Sequence, residues 1–194
     1  MLEECMRSVY EQTVPVARHL VAVEEMATDI PRPVAIARAQ NALLAAVETE
    51  WVLRLADDDE LTENAVELLL AASDGADVVY GPDRDGKAGV TDVSGMGYGA
   101  LCRFMEGADT GEASGTLIRT EFLRKIDGFV TNWRNGHFHH PWMNVCLHYF
   151  EDRATRQVLA MQGARFKMAA GPTWVAGLDG DDRVGSLPVL RRQC

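Results

Sequence analysis

Trp51-Val-Leu-Arg-Leu-Ala-Asp-Asp-Asp-Glu-Leu61 decides how this chain is read. Trp51 to Leu55 is a short, mostly apolar run, and it predicts a strand. The strand ends in an acidic run, Asp57-Asp58-Asp59-Glu60. Adjacent carboxylates raise one another's pKa and cost stability unless something neutralises them. A hard divalent cation, Mn²⁺ or Mg²⁺, does so through oxygen donors and leaves room for substrate phosphates. The plainer reading of the same residues is a solvated acidic loop ahead of a helix N-terminus, which the helix dipole also favours.

Outward from this stretch, helices and strands alternate. Leu2 to Tyr10 places Leu2, Cys5, Met6 and Val9 on one helical face, and Pro15 stops that helix. His19 to Val23 reads as a buried strand, Pro31 and Pro33 mark a loop, and Ala35 to Glu48 reads as a helix. After the acidic run, Thr62 is a predicted N-cap with Glu63 in the first turn, and Leu61 and Val66 are spaced as a hydrophobic staple. That helix runs to about Ala72, and Asp77 to Tyr80 is a third strand. Such alternation predicts an α/β fold: a mostly parallel sheet flanked by helices in three layers, in a single domain. In sheets of this kind ligands bind at the carboxyl ends of the strands, where the acidic run lies.

The second half is less regular. Gly81 to Gly99 reads as a loop or hairpin region, Ala113 to Arg119 as a strand, and Thr120 to Ile126 as a short helix stopped by Gly128. Val130 to His148 has no clean period. Glu151 to Gln162 reads as a helix ended by Gly163, Arg165 to Ala169 as a last strand, and the stretch from Gly177 onward as a Gly/Asp-rich tail. The expected division is a domain over 1–176, with one half over about 1–82 and another over about 83–176, followed by the tail 177–194.

Composition narrows the function classes. The chain has 194 residues and a net charge of −10, with 47% hydrophobic and 25% charged residues, as in ordinary globular proteins. The acidic balance argues against nucleic acid and against anionic membrane surfaces as partners. No apolar run approaches the roughly 20 residues of a membrane span, and MLEECMRSVYEQ is acidic rather than signal-like. Cys5, Cys102, Cys146 and Cys194 form no C-x-x-C pair, which predicts a reducing, cytoplasmic setting.

Six segments, in order, carry a resemblance: SVYEQTVP (8–15), VEEMATD (23–29), ARAQNALLAA (37–46), WVLRLADDDEL (51–61), SGTLIRTEFLRKIDGF (114–129) and EDRATRQVLAMQGARF (151–166). Together they resemble family-2 glycosyltransferases of the GT-A fold, which move sugars from nucleotide-diphosphate donors. The resemblance implies a metal-dependent, inverting transfer to an acceptor hydroxyl on a glycan, a lipid-linked species or a small molecule. It implies that Glu24 accepts a hydrogen bond from the nucleobase and that Asp29 closes the same loop. Asn41 belongs with the donor, and Arg38 is either a cation for the phosphates or a solvated surface charge. Asp57 supports the run, Asp58 contacts ribose or shares the metal, and Asp59 coordinates the metal. Asp152 becomes the general base and Glu151 orients the loop or acceptor. On the residues alone, Glu151 and Asp152 are acidic residues in a first helical turn, favoured by its dipole.

The departures from the pattern are specific. Met1 lies almost at the first helix, where the family has a strand before it; either the chain is a fragment, or another segment or chain fills that place in the sheet. An open edge there makes a homo-oligomer plausible. Glu24 and Glu25 replace aspartates, Met26 a Gly, Gln40 an Arg, Ala56 an Asp, and Asp127 a Gly. His137, His139 and His140 are compact enough for a metal reading, but no Cys stands at ligand spacing, and an acceptor loop with Trp133 and Trp142 fits better. Two other functions compete: a degenerate, non-catalytic GT-A-like binding or assembly module, and a nucleotidyltransferase. The last needs a Gly-rich basic phosphate loop near the N-terminus, which is missing.

Overall fold

Alternating side chains of one strand explain the layering. In β2 (Trp51–Ala56), Val52 packs with the residues of one core and Leu53 and Leu55 with those of the other, as a period of two requires. The computed structural model describes residues 2–24, 32–85, 92–97, 114–129, 151–177 and 189–193. Within them, α1 (Leu2–Tyr10) is followed by β1 (Leu20–Glu24), α2 (Arg32–Leu44), β2, β3 (Glu60–Leu61) and α3 (Ala65–Ala71). Then come β4 (Val78–Tyr80), β5 (Thr116–Arg119), α4 (Thr120–Lys125), α5 (Glu151–Met161), β6 (Phe166–Met168), β7 (Trp174–Val175) and β8 (Val189–Gln193).

The main sheet has the order β1-β8-β2-β5-β4-β6. β8 is antiparallel to both β1 and β2, and β5 is antiparallel to both β2 and β4, while β4 and β6 pair in parallel. The four strands β1, β2, β4 and β6 therefore point the same way, as the alternation predicts. The expected mostly parallel ladder is not what forms, because β5 and β8 enter between these strands and make most of the pairings antiparallel. The α/β class with helices on both faces stands. α2, α4 and α5 contribute Ala37, Leu44, Leu123, Leu159 and Ala160 to the core on one face. α1 and α3 contribute Cys5, Val9, Ala65, Val66 and Leu69 on the other.

Three further expectations change. α2 starts earlier and ends earlier than Ala35–Glu48. Thr62 does not cap α3: that helix begins at Ala65 after Asn64, and the Thr62 hydroxyl donates to the Pro172 carbonyl at 2.8 Å. The stretch treated as a tail contributes β8, which occupies the place between β1 and β2. α4 ends as expected: the Gly128 N–H returns to the Leu123 carbonyl at 2.8 Å, with Gly128 at φ 87°.

Candidate functional site at the carboxyl ends of the strands

Strand direction puts Glu24, the acidic run and the first turn of α5 at one end of the sheet. β1 and β2 both pair with Arg191, through Ala22 and Ala56. Glu24 is the last residue of β1, two beyond Ala22, and the Asp57–Asp58 turn follows directly on Ala56, so both leave the sheet at its carboxyl end. α5 returns through residues 162–165 into β6, which is parallel to β4. Its C-terminus is thus at the amino ends of the strands. Its first turn, with Glu151 and Asp152, is at the carboxyl ends, with the acidic run. The same reasoning puts the start of α2 at this end.

Within the acidic run the three aspartates differ. Asp57 is half-buried and Asp58 is exposed. Asp59 is only 3% exposed, and both of its oxygens are engaged. The Ser114 hydroxyl donates to Oδ2, and the Gly177 N–H donates to Oδ1 at 3.1 Å. Ser114 Oγ in turn accepts from the Ala56 N–H at 3.1 Å. The end of β2, the turn before β5 and the residues after β7 are therefore tied at one carboxylate.

β7 lies across the mouth of the sheet. It pairs with β3, and the Thr173 carbonyl accepts from the Thr62 N–H at 3.1 Å while the Thr173 N–H donates to Pro82 at 3.0 Å. Trp174 is fully buried, its indole N–H donating to the Gly81 carbonyl at 3.1 Å. At Gly115 a Cβ would lie 2.7 Å from the Trp174 ring and 2.8 Å from the Thr173 hydroxyl, at φ +67°, so this position takes only glycine.

The other predicted residues divide. Asn41 holds protein backbone: its Oδ1 accepts from Phe129 N–H at 2.7 Å and its Nδ2 donates to the Phe129 carbonyl at 2.8 Å. Arg38 is exposed. Glu24, Glu151 and Asp152 are placed by their backbone alone. Asp29, Trp133, His137, His139, His140 and Trp142 lie outside the described residues.

Sequence reading missed two residues at the acidic run, Ser114 and Gly177, and one buried charge in β2, Arg54. Arg54 is 3% exposed, and with the Gln40 amide oxygen turned toward it, its Nε and one terminal nitrogen donate to Gln40 at 2.9 and 3.2 Å. The pairing Gln40–Arg54 joins α2 to the middle of β2. Only the mid-strand charge of Arg54 could have signalled this.

Among the described residues no group of three His, Cys, Asp or Glu side chains converges as a metal cage. Hard divalent cations are commonly held by one or two carboxylates plus phosphate oxygens and water. The exposed Asp58, beside half-buried Asp57, fits that donor set. An apolar cavity of about 180 Å³, lined by Val14, Pro15, Trp51, Leu53 and Leu70 among others, opens near the amino end of β2, away from the acidic run. Among the described residues no helix is long and apolar enough to cross a membrane.

No family model matches the chain. No curated protein matches it either. Solved structures do. S. aureus TarS 1–349 in complex with UDP superposes with a TM-score of 0.55 at 16% identity, over 91% of this chain and 56% of that one. A second structure of S. aureus TarS 1–349 gives a TM-score of 0.52 at 15% identity, with the same coverage. The chain thus spans little more than half the length of the solved chains it matches. At this identity the likeness concerns the fold, and the chain has a mixed α/β fold like that of TarS, a glycosyltransferase.

Proposed function

We propose that this chain binds a nucleoside-diphosphate sugar at the carboxyl ends of β1 and β2 and belongs to a metal-dependent, inverting glycosyltransferase. What carries the reading is the shared sheet end of Asp57–Asp59 and the Glu151–Asp152 turn of α5. The similarity in fold to TarS, whose structure holds UDP, supports a uridine nucleotide as the first donor to try.

The residues divide the work as follows. Glu24 meets the nucleobase edge from the end of β1. The exposed Asp58 would hold a divalent cation, which when bound screens the negative charge of the donor's diphosphate. Asp152 takes the proton from the acceptor hydroxyl, a poor nucleophile near neutral pH without a base. Glu151 orients the acceptor beside it. Displacement at the anomeric carbon from the face opposite the diphosphate inverts that centre.

Thermal melting with UDP and Mn²⁺ tests the binding half. At a ligand concentration 100 times Kd the linkage is about 2.7 kcal/mol. For a chain of this size that is a rise of roughly 5–10 °C in Tm. The rise is expected with UDP plus Mn²⁺ and smaller with UDP plus a chelator. No rise with any nucleoside diphosphate plus Mn²⁺ would replace this reading with that of a non-catalytic module.

A further inference from the structure

Three adjacent aspartates invite the assumption that all three serve a ligand. Their surroundings separate them. Asp58 is exposed, whereas Asp59 is turned into the protein at 3% exposure. Each Asp59 oxygen has a donor built into a different segment: the Ser114 hydroxyl before β5 and the Gly177 N–H after β7. Gly177 is also held sterically, since a Cβ there would collide with the Asp58 carbonyl oxygen. That collision means the chain at Gly177 lies directly on the Asp58 backbone. We propose that Asp59 is a positioning residue and Asp58 the cation-facing one: Asp59 clamps Ser114 and Gly177 so that the Asp57–Asp58 backbone is held with the Asp58 carboxylate outward.

A buried carboxylate is tolerated because charge-assisted hydrogen bonds replace water. Asp59 meets that condition within the protein itself, through Ser114 and Gly177. The clamp also explains why three separate stretches, 56–59, 114–115 and 173–177, converge at the mouth of the sheet. Ser114 serves twice, accepting from Ala56 N–H while donating to Asp59, so it fixes both the start and the end of the turn. The inference rests on the cation reading above for what Asp58 meets, but the clamp itself is a property of the protein without ligand.

The test measures two things on the full chain: hydrogen exchange of the Gly177 amide, and Mn²⁺ affinity by calorimetry with the metal alone and with UDP. Asp59→Asn keeps an oxygen for Gly177 and an amide for Ser114, so Gly177 protection and Mn²⁺ affinity should stay within about threefold of wild type. Asp58→Asn should leave Gly177 protection unchanged and weaken Mn²⁺ at least tenfold. Asp59→Ala and Ser114→Ala should speed Gly177 exchange at least tenfold; Ser114→Ala provides the reading if Asp59→Ala fails to fold. Loss of Mn²⁺ binding in Asp59→Asn as complete as in Asp58→Asn would overturn the assignment, making Asp59 a ligand. Unchanged Gly177 exchange in Ser114→Ala and Asp59→Ala would remove the clamp. Absence of Mn²⁺ binding in wild type would instead overturn the cation reading and, with it, the role given to Asp58; the exchange data would still decide the clamp.

Discussion

Arg165 meets Asp77 with three donors at once: its own backbone N–H at 2.9 Å, Nε at 2.9 Å on the same oxygen, and a terminal nitrogen at 3.2 Å on the other. Arg119 adds a looser contact at 3.7 Å, stacks on Trp51 at 4.4 Å and pairs with Glu50. This network ties the amino ends of β4 and β6 to the far end of β5, at the end of the sheet opposite the acidic run.

Burial alone would raise the Asp77 pKa, but the side-chain and backbone hydrogen bonds from Arg165, with the charges of Arg165 and Arg119, bring it below the usual value. A carboxyl whose pKa is lower folded than unfolded stabilises the fold above its unfolded pKa, about 3.9. That stabilisation disappears as pH falls through the lowered folded value. Asp77→Asn should therefore cost about 0.5–1.5 kcal/mol at pH 7, because the exposed Arg165 guanidinium it releases can turn to water. Urea midpoints for variant and wild type should converge as pH drops from 5 to 2. A gap that stayed constant across that range would show that the charge of Asp77 is immaterial.

The Asn41 clasp on Phe129 makes a second prediction, one of coupling. Phe129 is 2% exposed, so Asn41→Ala strands a backbone N–H and a carbonyl at a buried residue, costing about 1–3 kcal/mol. Gly128→Ala should destabilise as well, both from its φ of 87° and because its Cβ would collide with Asn41 Oδ1. In the double variant the collision is gone and only the dihedral strain remains. The cycle should be non-additive by about 0.5–3 kcal/mol, measured by chemical denaturation. Strict additivity would mean the collision relaxes at no cost.

Much of this was legible beforehand because apolar residues recur at two periods. Leu2, Cys5 and Val9 announced α1, and Trp51 to Leu55 announced β2 within one residue. What periodicity cannot report is partnership. Nothing in Val189–Gln193 indicates that it pairs between β1 and β2, and β3 and β7, at two residues each, have no period to detect. Thr62 has an N-cap's chemistry, yet Pro172 offers its hydroxyl a better partner from 110 residues away. At the candidate site the acidic run was plain, while its internal division was hidden: the donor that commits Asp59 at Gly177 is a backbone N–H, which leaves no mark in a sequence.

Gln40 and Arg54 form a third test. Arg54 places a guanidinium at 3% exposure in the middle of β2, and Gln40, fully buried on α2, accepts from it twice. Gln40→Leu removes that acceptor at nearly constant volume and leaves two guanidinium N–H groups in a dry setting. A loss of about 2–4 kcal/mol is expected, larger than for a surface substitution such as Arg38→Ala at under about 0.5 kcal/mol. Arg54→Met in the Gln40→Leu background should recover part of the loss, since an apolar pair of similar shape requires no donor or acceptor. No recovery would mean that other partners of Arg54 carry its stability.

Asp152 offers the sharpest separation of binding from chemistry. Glu151 and Asp152 open α5 at the carboxyl ends of the strands, where the helix dipole favours their negative charge. If Asp152 is the base, Asp152→Asn removes a proton acceptor without touching Asp58, so UDP plus Mn²⁺ should raise Tm as in wild type. UDP release from a panel of UDP-sugars should fall by about 10²–10⁴-fold. The lost acceleration should appear in kcat, with KM little changed, as for an interaction made only in the transition state. Asp58→Asn should do the reverse on the binding side, flattening the Mn²⁺-dependent rise in Tm. Full turnover in Asp152→Asn would move the base to another residue at this end of the sheet, with Glu151, its neighbour on the same turn, the first to replace.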